Sequence, residues 1–306
     1  MNQLTVSFSP HIRAKVTASR IMLDVILALC PAMVAAVWIF GWCAALVVAV
    51  TVVSCVFFEW GFQKLSKKPS TIGDLSAVVT GVLLAFNLPV GIPLWQAVFG
   101  SAVAIILVKQ VFGGIGKNFA NPAITARIVM LISFPVAKTT WEVVADALSS
   151  ATPLELISRG DIGYLPSLMD MFLGNRMGCL GETSAIALLI GGVYLLARRV
   201  ITWHIPVTFI GTVGLLTALL GEQPSYQLMA GGLLLGAFFM ATDYPTSPQT
   251  PKGRIIFGIG CGLLTVLIRV YGSYPEGVSF AILFMNVLVP FINKLTMQKA
   301  LGGVKV

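Results

Sequence analysis

The chain has 306 residues, of which 57% are hydrophobic and only 10% are charged, whereas a soluble domain is about 25% charged. This composition excludes an ordinary soluble protein, and the distribution of the net charge of +8 indicates membrane orientation, not nucleic-acid binding. Five cysteines without a CxxC or CxxH pair and only two histidines predict neither a disulfide framework nor a metal or haem site.

Ten apolar segments follow along the chain, and each is a candidate transmembrane helix. They are residues 21–40, 42–62, 74–88, 93–112, 119–135, 183–197, 203–221, 226–242, 254–271 and 277–293. The third, fifth and sixth are short for a hydrocarbon layer about 30 Å thick, which is typical of broken helices that line an internal site. The first segment has no small-residue cleavage site after it and is interpreted as a retained span.

Lysine and arginine residues predict the orientation of these spans. They collect in the connections on one side of the membrane, and the short connections on the other side carry none. The residues on the basic side are Arg13, Lys15, Arg20, Lys64, Lys67, Lys68, Lys117, Arg198, Arg199, Lys252, Arg254, Lys294, Lys299 and Lys305. We therefore predict cytoplasmic termini and an extracytoplasmic loop 136–182, since long loops cross a membrane largely regardless of charge.

The two halves of the chain resemble each other. TGVLLAFNLP at 80–89 is similar in character to GGLLLGAFFMATDYP at 231–245, and each is followed by a long span with one basic residue near its end, Lys109 or Arg269. Five helices per half is an odd number, so the second half enters from the opposite side and the repeat is inverted. The predicted fold is all-α and polytopic, with repeats at 1–135 and 183–306 separated by the loop 136–182.

Charged side chains in or at the ends of the spans are costly and commonly functional. They are Asp24, Glu59, Asp74, Lys109, Arg127, Glu182, Asp243, Arg269 and Glu276. Four of them are interpreted as interfacial groups that reach the headgroup region: Asp24, Asp74, Glu182 and Glu276. The side chain of Lys109 is long enough to reach the interface as well, whereas Arg127 lies deeper and is harder to explain in this way.

Two connections carry clustered polar and turn-forming residues. GGIGKNFANPAITAR at 113–127 leads into a helix start whose backbone N–H groups suit an anion or polar ligand. It is neither a Walker loop, because no Ser or Thr follows Lys117, nor a Rossmann fingerprint, because no strand precedes it. MATDYPTSPQTPKGR at 240–254 contains Asp243 and three prolines. Each connection is either a rigid turn or a cofactor or partner site.

DALSSATPLE at 146–155 supports two hypotheses. Thr152, Pro153 and Glu155 have the spacing of a helix start, with threonine as N-cap, proline at the first helical position and glutamate closing a capping box. Alternatively, the hydroxyl of Thr152 is a site of covalent modification. The ten residues alone favour the cap.

Several segments together resemble one protein family. They are TASRIML (17–23), GGIGKNFANPAITARIVMLISFP (113–135), SSATPLEL (149–156), GETSAIALLIGGVYLL (181–196) and MATDYPTSP (240–248). In this order they look like the D subunit of the Rnf electron-transport complex, and they are also similar to the B subunit of the sodium-pumping NADH:quinone reductase. The resemblance covers nearly the whole chain. The Rnf family is favoured because the B subunits have an extended N-terminus that this chain lacks.

The resemblance implies a fold similar to urea-transporter-like inverted repeats and two flavins. An FMN is expected as a phosphoester on the threonine of the pattern D-x-x-[ST]-[GS]-A-T, installed by a flavin transferase outside the cytoplasm. The residues that match the pattern are Asp146, Ser149, Ser150, Ala151 and, as the attachment residue, Thr152. A second, non-covalent flavin similar to riboflavin is expected in the bundle, and the polar residues expected to line it are Lys117, Asn118, Asn121 and Asp243.

The same resemblance implies that the protein is a subunit of a translocase in the bacterial inner membrane, without an independent catalytic site. Electrons would pass from ferredoxin to NAD⁺ through iron–sulfur subunits, this protein and a second flavinylated subunit, coupled to Na⁺ or H⁺ translocation. Two rival hypotheses remain. One is a stand-alone solute channel of the urea or ammonium type with Glu59, Lys109 and Arg269 along its pore, and the other is a scaffold that seats flavin-bearing partners.

Overall fold

A computed structural model describes residues 17–134, 152–176, 178–182, 184–272 and 276–297, and every regular element in these ranges is helical. In chain order the helices are α1 (Ala18–Phe40), α2 (Trp42–Leu65), α3 (Ser76–Phe86), α4 (Leu94–Gln110), α5 (Pro122–Ser133), α6 (Pro153–Arg159), α7 (Leu168–Leu173), α8 (Ala185–Ala197), α9 (His204–Leu219), α10 (Pro224–Met229), α11 (Leu233–Leu235), α12 (Pro251–Tyr271) and α13 (Val278–Thr296). Helices α1, α2, α12 and α13 are long and apolar enough to cross a membrane. The prediction of an all-helical, multi-pass membrane protein is confirmed.

Three helices begin in the same way, with a polar N-cap followed by proline. Asn121 accepts hydrogen bonds from the backbone N–H groups of the first turn of α5, Thr250 does so for α12, and Thr152 does so for α6. Proline fits the first helical position because that position needs no N–H donor. The predicted cap at Thr152 is confirmed, but the Glu155 carboxylate accepts from Arg159 one turn later and does not return to the cap.

The predicted helix in 226–242 is wrong, because the structure breaks it in the middle. Helix α10 ends at Met229, Gly231 and Gly232 both have left-handed backbone (φ +65° and +66°), and α11 then begins at Leu233. Two successive residues in this conformation end a helix, and glycine adopts it without steric cost. The chain continues as a π-helix over Gly236–Met240, as α4 does over Val103–Gln110.

The helices pack both within and between the two halves of the chain. Helix α2 lies against α3 and α4 in the first half, and α9 lies against α12 in the second. Between the halves, α1 packs on α8 and α5 packs on α13, so the first helices of the two repeats meet and so do the last. Gly191 in α8 permits the close crossing with α1, since a Cβ there would lie 2.1 Å from the carbonyl oxygen of Ala28.

Contacts between connections define two ends of the bundle. At one end, Ser19 donates to the carbonyl of Gly73 at 3.1 Å and Arg254 donates to Thr202 at 3.1 Å. We call this the basic end, because its connections and helix ends carry Lys64, Lys67, Lys68, Lys117, Arg198, Arg199, Lys252, Arg254 and Lys294. The opposite end, which we call the Thr152 end, contains α6, α7 and α10.

Candidate functional site

Thr152 lies at the start of α6 and its side chain is partly exposed. Its Oγ1 accepts a hydrogen bond from the backbone N–H of Glu155 at 3.3 Å. The hydroxyl therefore has a fixed acceptor role, while its proton is available for replacement. The residues expected before it in the attachment pattern, Asp146, Ser149, Ser150 and Ala151, lie outside the described residues.

Helix α6 rests on the segment 224–232, which we call the platform. The buried side chain of Leu154 packs with Met171 of α7 and Ala230 of the platform. Leu154 also contacts Gly231 closely, since a Cβ at Gly231 would lie 2.2 Å from the Leu154 Cδ1 atom. Tyr226 of the platform donates to the carbonyl of Pro166, in the connection between α6 and α7, at 3.1 Å. Thr152 is therefore two residues from Leu154, whose packing fixes the first turn of α6 against the platform.

Below the platform, Arg127 of α5 joins both repeats in a buried network. Its guanidinium group donates to Asn87 Oδ1 at the end of α3 at 2.5 Å and to Glu182 Oε1 at 3.1 Å. It also donates to Glu276 Oε2 at the start of α13. A planar guanidinium with five donors suits several acceptors at once. Arg127 therefore fastens the repeats together through three separate elements.

Cys179 lies in the same network and makes a cluster of metal-ligand atoms. One ligand atom from each of Cys179, Glu182 and Glu276 lies within 4.8 Å of the others. Arg127 Nη2 is already bonded to all three of these side chains, so a guanidinium supplies the positive charge between them. The sequence did not reveal the cluster because Glu276 lies far along the chain from the other two.

A cavity of about 240 Å³ lies between the repeats at the basic end. Its apolar wall includes Leu83, Phe238 and Phe239, and its polar lining comprises Ser76, Thr80, Lys109, Asn118, Asn121, Thr242 and Asp243. Helices of both halves contribute, namely α1, α3, α4 and α5 from the first and α8 from the second. An apolar cleft with few convergent polar groups is typical of a ligand site.

Three of the four residues expected around a second flavin line this cavity: Asn118, Asn121 and Asp243. Lys117 is exposed and lies outside its lining. Asn121 also uses its amide to cap α5 and to donate to the Met240 carbonyl at 3.2 Å. The Oδ1 atom of Asn118 is buried and accepts no hydrogen bond from the described part of the protein, so a donor on a ligand would satisfy it.

Asp243 lies in the connection between α11 and α12. Burial raises the pKa of its carboxyl group to about 6, although a hydrogen bond from Thr246 at 3.2 Å opposes the shift. The cavity therefore contains a carboxyl group that changes charge close to neutral pH.

Lys109 lines the cavity and is fully buried together with its partner Glu59. Its Nζ donates to Glu59 Oε2 at 2.7 Å and to Ser76 Oγ at 2.6 Å. Glu59 is also an acceptor for Gln110 at 2.9 Å and for Gln63 at 3.3 Å. A buried ion pair of this kind needs such additional hydrogen bonds to offset the loss of hydration.

The interfacial interpretation of the charged residues is wrong for Asp24 and Glu182, which are buried. Asp24 accepts from Tyr194 at 3.1 Å and pairs with Arg198. Lys109 does not reach the headgroup region either, because it turns inward to Glu59.

The residues expected along a channel pore do not come together. Glu59 and Lys109 pair at the basic end, whereas Arg269 donates to the carbonyl groups of the platform at the Thr152 end. These three side chains therefore do not form the single row that the channel hypothesis expected.

Comparison with known proteins gives a consistent result. Residues 5–302 match the model of the NQR2, RnfD, RnfE family. The chain is 50% identical to the D subunit of the Na(+)-translocating ferredoxin:NAD(+) oxidoreductase complex of Acetobacterium woodii, over 100% of this chain and 98% of the relative. It is 44% identical to the D subunit of the proton-translocating ferredoxin:NAD(+) oxidoreductase complex of Clostridium ljungdahlii, over 98% and 97%. It is 41% identical to the D subunit of the ion-translocating oxidoreductase complex of Stutzerimonas stutzeri, over 94% and 92%.

Proposed function

Because the chain belongs to the NQR2, RnfD, RnfE family, we propose that it is the D subunit, embedded in the membrane, of an ion-translocating ferredoxin:NAD⁺ oxidoreductase complex. It would relay electrons through an FMN bound covalently to Thr152, coupled to translocation of Na⁺ or H⁺. One observation carries this proposal: the threonine that matches the attachment pattern caps α6 with a partly exposed hydroxyl at the end of the bundle opposite the basic connections.

The charge distribution supports an extracytoplasmic position for Thr152. The basic end contains the lysine and arginine residues that the positive-inside rule assigns to the cytoplasm. Helix α6 lies at the other end, where a flavin transferase outside the cytoplasm would reach it. Both chain termini would then be cytoplasmic, and the loop 136–182 would be extracytoplasmic.

The local geometry is compatible with a phosphoester on Thr152. Ester formation replaces the hydroxyl proton and leaves Oγ1 as an oxygen that still accepts from the Glu155 N–H. The anchor at Leu154 keeps the first turn of α6 packed against the platform. A bound FMN would supply the electron-carrying chemistry, while the protein fixes its point of attachment.

The cavity at the basic end fits the second, non-covalent flavin. A flavin ring has an apolar edge and a pyrimidine edge with one N–H donor and carbonyl acceptors. Phe238 and Phe239 offer an apolar wall, and the unsatisfied Asn118 Oδ1 offers an acceptor. Lys109 retains a third ammonium proton beyond its bonds to Glu59 and Ser76.

The remaining partners are proposed from the same family membership. Other subunits of the complex, among them a second flavinylated subunit and iron–sulfur subunits, would deliver and remove the electrons. Large apolar side chains along the long helices, such as Trp38, Val53 and Leu267, are exposed and would face lipid or these subunits.

The experiment is to express the protein with and without its flavin transferase and to purify it in detergent. We expect in-gel flavin fluorescence, which reports only covalently attached flavin, when the transferase is present and not when it is absent. The Thr152→Ala variant should lose the covalent fluorescence, and Thr152→Ser, which keeps a hydroxyl, is the matched control for folding and insertion.

A colourless wild-type protein that takes up a small solute would contradict the proposal and support a channel. Full electron-transfer activity of a complex that contains Thr152→Ala would support the scaffold hypothesis.

A further inference from the structure

Two arginines, the buried Arg269 and the partly buried Arg176, converge on the platform from different parts of the chain. Arg269, near the end of α12, donates through Nη1 to the Gln227 carbonyl at 2.6 Å and through Nη2 to the Ala230 carbonyl at 3.0 Å. Arg176, which precedes α8, donates to the Met229 carbonyl at 2.6 Å and to the Glu182 carbonyl. Together they satisfy three of the carbonyl groups at the end of the short helix α10, which a helix of six residues cannot satisfy internally.

Arg269 also reaches the surface on which α6 rests. A Cβ at Gly231 would lie 2.8 Å from Arg269 Nη2 and 2.2 Å from Leu154 Cδ1. Both side chains therefore contact the same glycine, and Leu154 is two residues from Thr152. The contact explains why a residue without a side chain is needed at this position of the platform.

The charge of Arg269 is not neutralised by direct contact. Within the described ranges no carboxylate lies within 4.0 Å of its guanidinium, and its hydrogen bonds go to carbonyl oxygens and to the amide of Gln227. The nearest acidic groups, Glu182 and Glu276, are already ion-paired with Arg127. A buried positive charge therefore remains close to the anchor of α6, where screening by water is weak.

We propose that Arg269 and Arg176 are positioning residues of the covalent flavin site: they brace the platform that holds α6, and Arg269 places a positive charge behind Thr152. This inference rests on the proposed attachment of FMN to Thr152. Reduction adds negative charge to a flavin, and a nearby positive charge stabilises the reduced form. The chain thus influences both the mobility and the midpoint potential of a flavin that it holds by one bond.

The test uses the complete complex, expressed with its flavin transferase, and three variants. Arg269→Gln removes the charge but keeps a side-chain donor, Arg269→Lys keeps the charge, and Arg198→Gln removes an arginine at the basic end. The readouts are the fraction of protein that carries covalent flavin and the midpoint potential of that flavin in a spectroelectrochemical titration. Arg269→Gln should give a more negative potential, whereas Arg269→Lys and Arg198→Gln should keep the wild-type value.

The inference is overturned if Arg269→Gln retains the wild-type potential, or if Arg269→Lys shifts it as far as Arg269→Gln does. Should Arg269→Gln fail to assemble, Arg176→Gln decides: its covalent flavin should show lower fluorescence anisotropy than the wild type, and unchanged anisotropy overturns the inference. An absence of covalent flavin in the wild-type complex would instead contradict the proposed function, so the two failures are distinguishable.

Discussion

Lys109 and Arg269 occupy corresponding places in the two repeats but have different partners. Each lies in the last turn of the long helix that comes directly before the last helix of its half. Lys109 pairs with the buried carboxylate of Glu59 and lines the cavity at the basic end. Arg269 binds backbone carbonyls of the platform at the Thr152 end. These two corresponding positions thus place a buried cation at opposite ends of the bundle, where the two cations have different partners.

The helices that precede the two cations differ in length. Helix α2 has 24 residues and carries Glu59 in its last turns, next to Lys109. Helix α9 has only 16 residues, and the short α10 follows it. The free carbonyls of α10 need a branched donor, which a guanidinium provides and an ammonium does not. At this position Arg269 therefore braces the platform through its carbonyl groups, where Lys109 forms an ion pair.

The largest expected effect comes from breaking the ion pair of the first repeat. Lys109→Met leaves Glu59 buried without its cation, which costs about 3–5 kcal/mol. We expect a large drop in the thermal unfolding temperature of the detergent-solubilised protein. The double variant Lys109→Met with Glu59→Gln should recover much of the lost stability, because the neutral glutamine amide leaves no unpaired charge in the interior. Equal destabilisation by the single and double variants would contradict the assignment.

The next effect concerns the platform of the second repeat. Gly231→Ala places a side chain at positive φ, which costs about 1–2 kcal/mol, and forces Leu154 and Arg269 apart, which adds roughly 1–3 kcal/mol. Gly221→Ala is the matched control, since Gly221 has φ +76° and nothing lies within 4 Å of its Cβ position. Thermal unfolding should separate the two variants, and equal losses would show that the platform contact is unimportant.

A smaller and local effect is expected at the cap of α6. In protein without covalent flavin, Thr152→Ala removes the hydrogen bond to the Glu155 N–H and costs about 1 kcal/mol. Hydrogen exchange of the α6 amides should become about fivefold faster, whereas Thr152→Ser should keep the wild-type rate. Unchanged exchange in Thr152→Ala would mean that packing of Leu154 alone holds the helix.

A further effect is a pH dependence at the cavity. Because the folded protein raises the pKa of Asp243 to about 6, from an ordinary value of about 3.9, folding favours the protonated form. The contribution of Asp243 to stability is therefore greatest below about pH 4 and is lost as the pH rises through about 6. Asp243→Asn should remove this decrease, and Asp161→Asn, at an exposed residue, should not. Parallel pH profiles of the wild type and Asp243→Asn would exclude the effect.

Local signals in the sequence were sufficient for the helices and for the start of α6. Proline after a capping residue marks Asn121, Thr152 and Thr250 without any knowledge of the fold. The Gly-Gly break of the platform was missed because Gly231 and Gly232 lie inside an apolar run that resembles one continuous span. The two adjacent glycines could have indicated the break, because glycine is unfavourable in the interior of a helix.

The ion-pair partners of the buried charged residues could not be predicted from the sequence. Glu59 and Lys109 are 50 residues apart, and Arg127 and Glu276 are 149 apart. Their pairing depends on how the repeats close on each other, which hydropathy does not reveal. For the same reason, Asn118 and Asp243 were expected near a cofactor from resemblance, while the fold was needed to place them in one cavity.

The most direct test of the central claim is fragment mass spectrometry of the peptide that spans Thr152, taken from the native complex. The account predicts a mass increase of FMN less one water, localised to Thr152. An unmodified Thr152 in a complex that still transfers electrons through this protein would contradict it.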